Sequence, residues 1–157
     1  MSQSATLYRI TTGDFHKFIQ EPTTSNLLKL AKQYVCFQSN HEGLLFVLTK
    51  IAKPASAEIL KEILYPSNSL KVDFGEYEDF VYYLDTGKVS LVYLSIEDIS
   101  EHDIERNFDL EQMNELRIYP WHWYEEDSIF LKQSFINLKN LFSTANKEKD
   151  YIMVFVG

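Results

Sequence analysis

The segment RIYPWHWYEED, residues 117–127, holds the densest group of aromatic and titratable side chains in the sequence. Aromatic rings can form the apolar walls of a ligand pocket, and a histidine titrates near neutral pH. One interpretation is therefore a small-molecule-binding or catalytic pocket near His122, Trp123 and Tyr119. The other is a structural anchor, because Pro120 breaks the chain at a corner where two helices must be held together.

A second group of candidate residues is acidic. Between Asp73 and Asp127 the sequence has sixteen acidic and three basic residues, whereas the remainder has seven acidic and twelve basic residues, for a total net charge of −8. The negative electrostatic field of residues 73–127 repels phosphate backbones, so we expect no nucleic acid partner. The same field would attract a basic protein partner. The acidic residues predicted to contact such a partner are Asp73, Glu76, Glu78 and Asp79.

No common catalytic or metal-binding motif accounts for these residues. The spacing of the acids near Asp73 does not match the twelve-residue calcium loop, and the four histidines form no HxxxH pair. The DFG triplet at 73–75 lacks the other kinase motifs, and no GxSxG is present. Three acids at 125–127 are assigned to the helix dipole rather than to acid–base catalysis. We therefore expect no metal, no cofactor and no catalytic residue, and we favour a non-enzymatic protein.

Length and composition predict a single domain. A chain of 157 residues with 45% hydrophobic residues is long enough to bury its own core. The single cysteine, Cys36, excludes an internal disulfide, and its apolar neighbours predict that it is buried. There is no signal sequence and no apolar run of about 18 residues, so we expect a cytoplasmic protein without membrane association.

The first 66 residues are predicted to be mostly helical after an opening strand at 5–11. The second helix is expected to reach Tyr34, and a buried helix to end before Pro54. A short helix from Ser56 is expected to end at Pro66. The predicted N-caps of the first three helices are Thr12, Ser25 and Ser39, the last paired reciprocally with Glu42.

The second half is predicted to begin with two strands, FVYYL and VSLVYL, on either side of the turn DTGK. Two acidic helices should follow, capped by the pairs Ser95 with Asp98 and Asp109 with Gln112. A long amphipathic helix and the buried strand YIMVFVG close the chain. The apolar stripe of that helix consists of Leu131, Phe135, Leu138, Phe142 and Ala145. The pattern predicts an α+β fold with a mostly antiparallel or mixed sheet packed with several helices.

From residue 84 onward the sequence resembles the C-terminal half of the YfbM-like bacterial proteins, a domain of unknown function. The resemblance rests on YLSIEDI, the acidic helices, IYP with a tryptophan shortly after it, the long amphipathic helix and the closing apolar strand. LYRITTGDFHKFI and SNHEGLLFVLT are similar to the opening strand and helix and the buried helix of the family. Family members tend to carry a tryptophan at the position of His41.

This resemblance implies one α+β domain over residues 1–157, no established reaction and no catalytic residue. It also implies accessory or toxin-immunity roles. The predicted structural anchors are Tyr119, Pro120 and Trp123, and we expect both rings to be largely buried. The other side chains of the corner are predicted to meet a partner, and these are Trp121, His122 and Tyr124.

Three hypotheses follow. The favoured one is a protein-binding module, in its most specific form an immunity protein that neutralises a basic toxin through an acidic surface. The alternative is a small-molecule-binding protein or enzyme with a pocket near His122. The third is a structural domain without a ligand. The sequence leaves the oligomeric state open.

Overall fold

The last strand of the chain lies at the centre of the sheet. The computed structural model describes residues 2–157, and in it β5 (Tyr151–Val156) pairs with β1 (Ala5–Ile10) on one side and β4 (Glu78–Leu84) on the other. The outer strands are β2 (Gln33–Cys36) beside β1 and β3 (Asn68–Asp73) beside β4. All four pairings are antiparallel, in the order β2-β1-β5-β4-β3. The predicted α+β class and the interior position of the final strand are confirmed.

Helices cover both faces of this sheet. They are α1 (Thr12–Gln20), α2 (Thr24–Leu30), α3 (His41–Ile51), α4 (Ala57–Lys61), α5 (Thr86–Ile96), α6 (Glu101–Asn107), α7 (Leu110–Glu115) and α8 (Asp127–Glu148), with 3-10 turns at Gln38–Asn40 and Pro54–Ser56. Helices α3 to α8 form the larger core with one sheet face, and α1 and α2 form a smaller core on the other. Among residues 2–157, none of the helices is long and apolar enough to cross a bilayer.

The long helix α8 has the predicted amphipathic form. All five residues of its predicted stripe are at most 1% exposed and face the larger core. The helix ends at Lys149, whose φ of 56° is left-handed and whose amide donates to the carbonyl of Asn146. The 3.6-residue period over about four turns was therefore sufficient to locate both the helix and its buried face.

Three predicted N-caps are wrong by one or two residues or lack the expected hydrogen bond. Thr11, not Thr12, caps α1 by accepting from the Asp14 amide at 3.1 Å. Thr23, not Ser25, caps α2 by accepting from the Asn26 amide. The predicted Ser39 cap is absent, because a 3-10 turn leads directly into α3 and no side chain caps it.

The stretch around Cys36 is a strand rather than the end of a helix. Helix α2 ends at Leu30, and Tyr34 lies in β2, where it pairs with Tyr8. Side chains alternate along a strand, so Val35 faces the core and Cys36 points away from it. Cys36 is exposed, and the prediction that it is buried is wrong.

The predicted strand VSLVYL is helix α5. Asp85 caps it by accepting from the Lys88 amide at 2.9 Å, and Val89, Val92 and Ile96 are buried at helical spacing. The predicted Ser95 cap is also wrong, because Ser95 lies inside α5. The next helix starts instead at a capping box formed by Ser100 and Asp103, the same motif displaced by five residues. The predicted cap of α7 by Asp109 is confirmed, with Asp109 Oδ1 accepting from the Gln112 amide.

Glu62 connects α4, β3 and α5. Its side chain is largely buried and accepts from the Ser67 amide and hydroxyl, both at 2.8 Å, and from Lys88 Nζ at 3.2 Å. Burial alone would raise the pKa of Glu62, but the Ser67 hydrogen bonds and the Lys88 charge together lower it. The ionised carboxylate therefore stabilises this junction.

We expect Glu62→Gln to make the free energy of unfolding less dependent on pH in the acidic range. The pKa of the Glu62 carboxyl is higher in the unfolded chain than in the folded protein. The carboxylate therefore contributes its full stabilisation at pH values above the unfolded-state pKa, and this stabilisation is lost as pH falls through the lower folded-state pKa. Urea unfolding at about pH 7, 5 and 3.5 should show that the variant is less stable at pH 7 and that this difference shrinks at low pH. Glu58→Gln, at an exposed carboxylate in the neighbouring helix, is the control. A constant difference across this pH range would contradict the prediction.

Candidate binding surface at one end of the sheet

Trp123 is the anchor of the corner between α7 and α8. The residue is 3% exposed, and its indole N–H donates to the Ile118 carbonyl at 2.9 Å. Its backbone N–H donates to Asn114 Oδ1 at 2.7 Å, and Asn114 Nδ2 donates to its carbonyl at 3.1 Å. Every polar group of this buried residue therefore has a partner, so burying the large ring carries little desolvation cost.

The Trp123 ring rests on α3 at a position where the helix has no side chain. A Cβ built on Gly43 would lie 2.1 Å from Cη2 and 2.4 Å from Cζ2 of the ring. Phe108 packs edge-on against the other side of the indole, with ring centroids 6.4 Å apart. The corner and α3 can therefore approach each other this closely only because residue 43 is glycine.

Tyr119 is partly buried, less deeply than Trp123. Its ring lies 5.6 Å from the His41 ring and 5.0 Å from the Trp121 ring. Its hydroxyl oxygen accepts from the Gln3 amide at 2.6 Å, outside the core. Pro120 is half buried as well, and the peptide bond before it is cis. Tyr119 thus ties the corner to the segment before β1 instead of filling the core.

Of the three residues of the predicted pocket, His122 lines a depression on the surface. His122 is exposed and borders an open depression of about 750 Å³, whose other lining residues are Asn114, Arg117 and Trp121. Neither Trp123 nor Tyr119 lines this depression. Trp123 does not contribute to this depression because its ring is buried as a core anchor.

Two of the partner-contact candidates are large exposed rings. Trp121 is 57% and Tyr124 is 62% exposed. Trp121 also has a φ of 78°, a left-handed conformation that a non-glycine residue rarely adopts. Sequence reasoning missed three further exposed apolar side chains of the same region, which are Leu116, Ile129 and Phe130. The positions of Ile129 and Phe130 outside the α8 stripe could have revealed them.

His41 is a buried side chain and not a ligand contact. It is 1% exposed, and its Nδ1 lies 2.9 Å from the Gln38 carbonyl, to which a protonated Nδ1 would donate. Its Nε2 has no hydrogen-bond partner among the described residues. The residue lines a cavity of about 10 Å³ together with Leu48 and Leu138. Such a volume holds at most about one water molecule, so this cavity is too small for a substrate.

The acidic candidates lie together on the β3–β4 hairpin. Asp73 accepts from the Gly75 amide at the turn, and Glu78 pairs with Lys71 at 2.5 Å. Asp79 accepts from the Phe80 amide at 2.7 Å. Exposed rings accompany these acids, and the three are Tyr77, Phe80 and Tyr82. The hairpin therefore presents aromatic and acidic side chains together.

The hairpin and the corner extend from the same end of the sheet. Tyr82 pairs with Val154, β4 runs antiparallel to β5, and β5 ends at Val156, so the residues before Phe80 extend past the C-terminal end of β5. Ser4 and Gly157 exchange backbone hydrogen bonds at that end, and the adjacent Gln3 amide is bound by Tyr119. Residues 73–79 and 119–124, far apart in the sequence, are thus brought to one end of the molecule.

The acids of residues 73–127 differ in how far they are neutralised. Along α6 and α7, Asp103 pairs with Arg106, Glu105 with Lys132, and Asp109 with Lys50. Hydrogen bonds from backbone amides lower the pKa of Asp103 and of Asp109, in keeping with their roles as helix caps. At the shared end of the sheet six acids have no ion-pair partner within residues 2–157, as is also true of Glu101, Glu111 and Glu115 on α6 and α7. The six are Asp73, Glu76, Asp79, Glu125, Glu126 and Asp127.

In the described part of the chain, no three His, Cys, Asp or Glu side chains are placed to hold a metal ion. The carboxyl groups whose pKa values are lowered, at Glu62, Asp103 and Asp109, all accept hydrogen bonds from amides that cap or connect secondary structure. The arrangement at the end of the sheet can therefore support recognition by contact and charge.

Comparison with known proteins gives a family and a fold. A family model described as "Domain of unknown function (DUF1877)" matches residues 1–155. The crystal structure of YfbM from Escherichia coli, a protein of unknown function, is similar over 100% of both chains, with a TM-score of 0.64 and 17% identity. At that identity the likeness shows the fold alone. No curated protein sequence matches the chain.

We expect Gly43→Ala to lower the free energy of unfolding by about 1–3 kcal/mol, because the new methyl group would overlap the Trp123 ring. Chemical denaturation monitored by tryptophan fluorescence measures this change. Gly13→Ala is the matched control, since a Cβ at Gly13 in α1 would meet no atom within 4 Å. That variant should be neutral or stabilised by up to about 1 kcal/mol. Equal effects of the two substitutions would contradict the proposed contact.

The two tryptophans should differ sharply when each is replaced by alanine. Trp123→Ala removes a buried ring and is expected to cost about 3–5 kcal/mol, whereas Trp121→Ala should change stability by no more than about 0.5 kcal/mol. Urea unfolding followed by far-UV circular dichroism provides the comparison. A cost at Trp121 as large as that at Trp123 would show that the exposed ring also supports the fold.

Proposed function

Because this chain belongs to the DUF1877 family of domains of unknown function, we propose its role from its own surface: a non-enzymatic module that binds a basic protein. The YfbM-like resemblance predicted from the sequence is confirmed by the family model and by the fold. Neither of them names a reaction or a partner. The proposal therefore depends on the geometry at the shared end of the sheet.

The single observation that carries the proposal is the group of exposed apolar side chains at the corner. Trp121 and Tyr124 are each more than half exposed, as are Leu116, Ile129 and Phe130. Large rings are enriched at protein interfaces, where they bury much area with few rotatable bonds. Side chains of this size on a single segment favour a protein contact over a simple solvated surface.

Charge supports a basic partner for this surface. Glu125 and Glu126 stand directly beside the exposed rings and have no ion-pair partner within residues 2–157. The acidic hairpin extends from the same end of the sheet, so both groups contribute a negative potential there. Opposite potentials speed association and disfavour acidic competitors. In its most specific form, the proposal is an immunity protein of a bacterial cell that blocks a basic toxin domain.

The backbone of Trp121 also supports a binding role. A left-handed φ at a non-glycine residue costs about 1–3 kcal/mol and persists only where surrounding contacts enforce it. The hydrogen bond from the Trp121 amide to the Ile118 carbonyl, at 2.8 Å, fixes this turn. The corner thus holds the Trp121 ring outward in a preset position, which lowers the entropy lost when a partner orders it.

We expect a basic product of a gene adjacent to this one to bind the chain, and Trp121→Ala to weaken that complex by roughly tenfold or more. Isothermal titration calorimetry with each purified neighbour at low and moderate salt measures the affinity. Binding should weaken as salt rises, because the interaction is partly electrostatic.

Leu28→Ala is the matched control for this experiment. Leu28 is 60% exposed on α2, outside the candidate surface, so its loss should leave the affinity unchanged. The proposal fails if no basic neighbour binds the wild-type chain. It also fails if Trp121→Ala and Leu28→Ala have equal affinity for the neighbour that does bind.

A further inference from the structure

Strand β3 is an outer strand of the sheet, and within residues 2–157 its only strand neighbour is β4. The Phe74 amide donates to the Tyr77 carbonyl at 2.8 Å, so the backbone of Phe74 faces β4. Backbone groups alternate between the two edges of an antiparallel strand. Lys71 and Asp73 therefore direct their N–H and C=O groups to the outer edge, where no backbone group of residues 2–157 pairs with them.

The two faces of β3 carry different side chains. Leu70 and Phe74 pack at the margin of the smaller core, on either side of the buried Val72. On the opposite face, Lys71 and Asp73 are exposed. The segment LKVDF thus alternates apolar and charged residues with the period of two of a strand, and its two charges have opposite signs.

The charged face of the β3–β4 hairpin has an excess of acid. Asp73 lies directly opposite Glu78, and like charges at opposed positions of two strands are destabilising. Lys71 reaches Glu78 at 2.5 Å from the diagonal position. Asp73 Oδ1 accepts from the Gly75 amide, but the carboxylate has no ion-pair partner within residues 2–157. A cation on the outer side of Asp73 would relieve this repulsion.

A second copy of β3, placed antiparallel along the outer edge, supplies that cation. Where Val72 lies opposite Val72 of the second copy, Lys71 of each copy lies opposite Asp73 of the other. The same register places Leu70 of each copy opposite Phe74 of the other on the apolar face. Opposite charges and apolar side chains at directly opposed positions both stabilise a sheet.

Other registers of the same edge fit less well. Centring the pair on Lys71 sets the two lysines against each other, and centring it on Asp73 sets the two aspartates against each other. Centring it on Leu70 places Lys71 opposite Ser69, without an ion pair across the interface. An exposed lysine commonly protects a strand edge from uncontrolled pairing. Here that protection is removed only in the register centred on Val72, so the edge is selective.

The net charge of −8 on each copy opposes this pairing. At physiological ionic strength salt screens exposed charges over about 8 Å, so charges elsewhere on the two copies repel one another weakly. Lys71 and the opposed Asp73 lie within that distance, and their attraction therefore persists.

We propose that two copies of this chain associate through the outer edge of β3 in the register centred on Val72. The five strands of each copy then form one continuous sheet around a two-fold axis. Lys71 of each copy exchanges both backbone hydrogen bonds and charge with Asp73 of the other. The inference does not depend on the basic partner, because Trp121 and Tyr124 belong to the corner and not to β3.

Sedimentation equilibrium measures this association, since the dimer has twice the 18.4 kDa mass of one chain. Lys71→Asp should weaken the dimer by roughly tenfold or more, because it sets two acids against each other in both symmetric pairs. Asp73→Lys should have the same effect by opposing two lysines. The double variant, with both substitutions, restores opposite charges and should return the dissociation constant to within about threefold of the wild-type value.

Lys61→Asp serves as the control for these charge changes. Lys61 is exposed and pairs with one acid of its own chain, as Lys71 does, but it lies on α4. Its reversal should leave the dissociation constant unchanged. A wild-type chain that stays monomeric up to about 1 mM would overturn the inference. Equal effects of Lys61→Asp and Lys71→Asp would overturn it too, as would a double variant no tighter than the single ones.

A cysteine at position 72 tests the register without changing any charge. Val72→Cys, combined with Cys36→Ser to remove the native thiol, sets two thiols at opposed positions whose Cα atoms are roughly 4.5 Å apart. Oxidised glutathione should convert most of this variant to a covalent dimer on non-reducing gels. In Leu70→Cys, with Cys36→Ser, the two thiols are four residues apart along the strands, roughly 13 Å, and should not join. Equal cross-linking of the two variants, or none in Val72→Cys, would exclude the proposed register.

Discussion

The sheet depends on the pairing of β5 with both β1 and β4. Strand β2 pairs only with β1 and strand β3 only with β4, so β5 is the element that joins the two pairs into one sheet. It also joins the two cores, since Ile152 and Val154 face the larger core and Met153 faces the smaller one. The short pairing with β4 has a second effect. It leaves the tip of the β3–β4 hairpin beyond the C-terminal end of β5.

The elements that sequence reasoning located correctly are those whose burial pattern is local. The stripe of α8 repeats over about four turns, and the run YIMVFV is apolar on both faces, as a central strand must be. Helix α5 is harder to predict because valine and tyrosine favour strands, whereas the burial of Val89, Val92 and Ile96 at helical spacing depends on the packing of the whole fold. The cap at Asp85 was an available signal that the helical period applied there.

The candidate surface could be predicted only in part. Composition identified the rings at 119–124 and the acids at 73–79, but their positions at one end of the sheet follow from the register of β4 against β5, which no local pattern encodes. The difference in burial between Trp121 and Trp123 is likewise not encoded in any local sequence pattern. It depends on a helix some 80 residues earlier in the chain, where Gly43 leaves room for one of the two rings.

That contact restricts how the sequence of this family can change over time. A larger residue at 43 overlaps the indole, and a smaller residue at 123 leaves a cavity, so either substitution alone is costly. A substitution at one position becomes tolerable when the other position has already changed in the compensating direction. Positions 43 and 123 should therefore evolve as a coupled pair, although Trp121, two residues away, is exposed and free of this constraint.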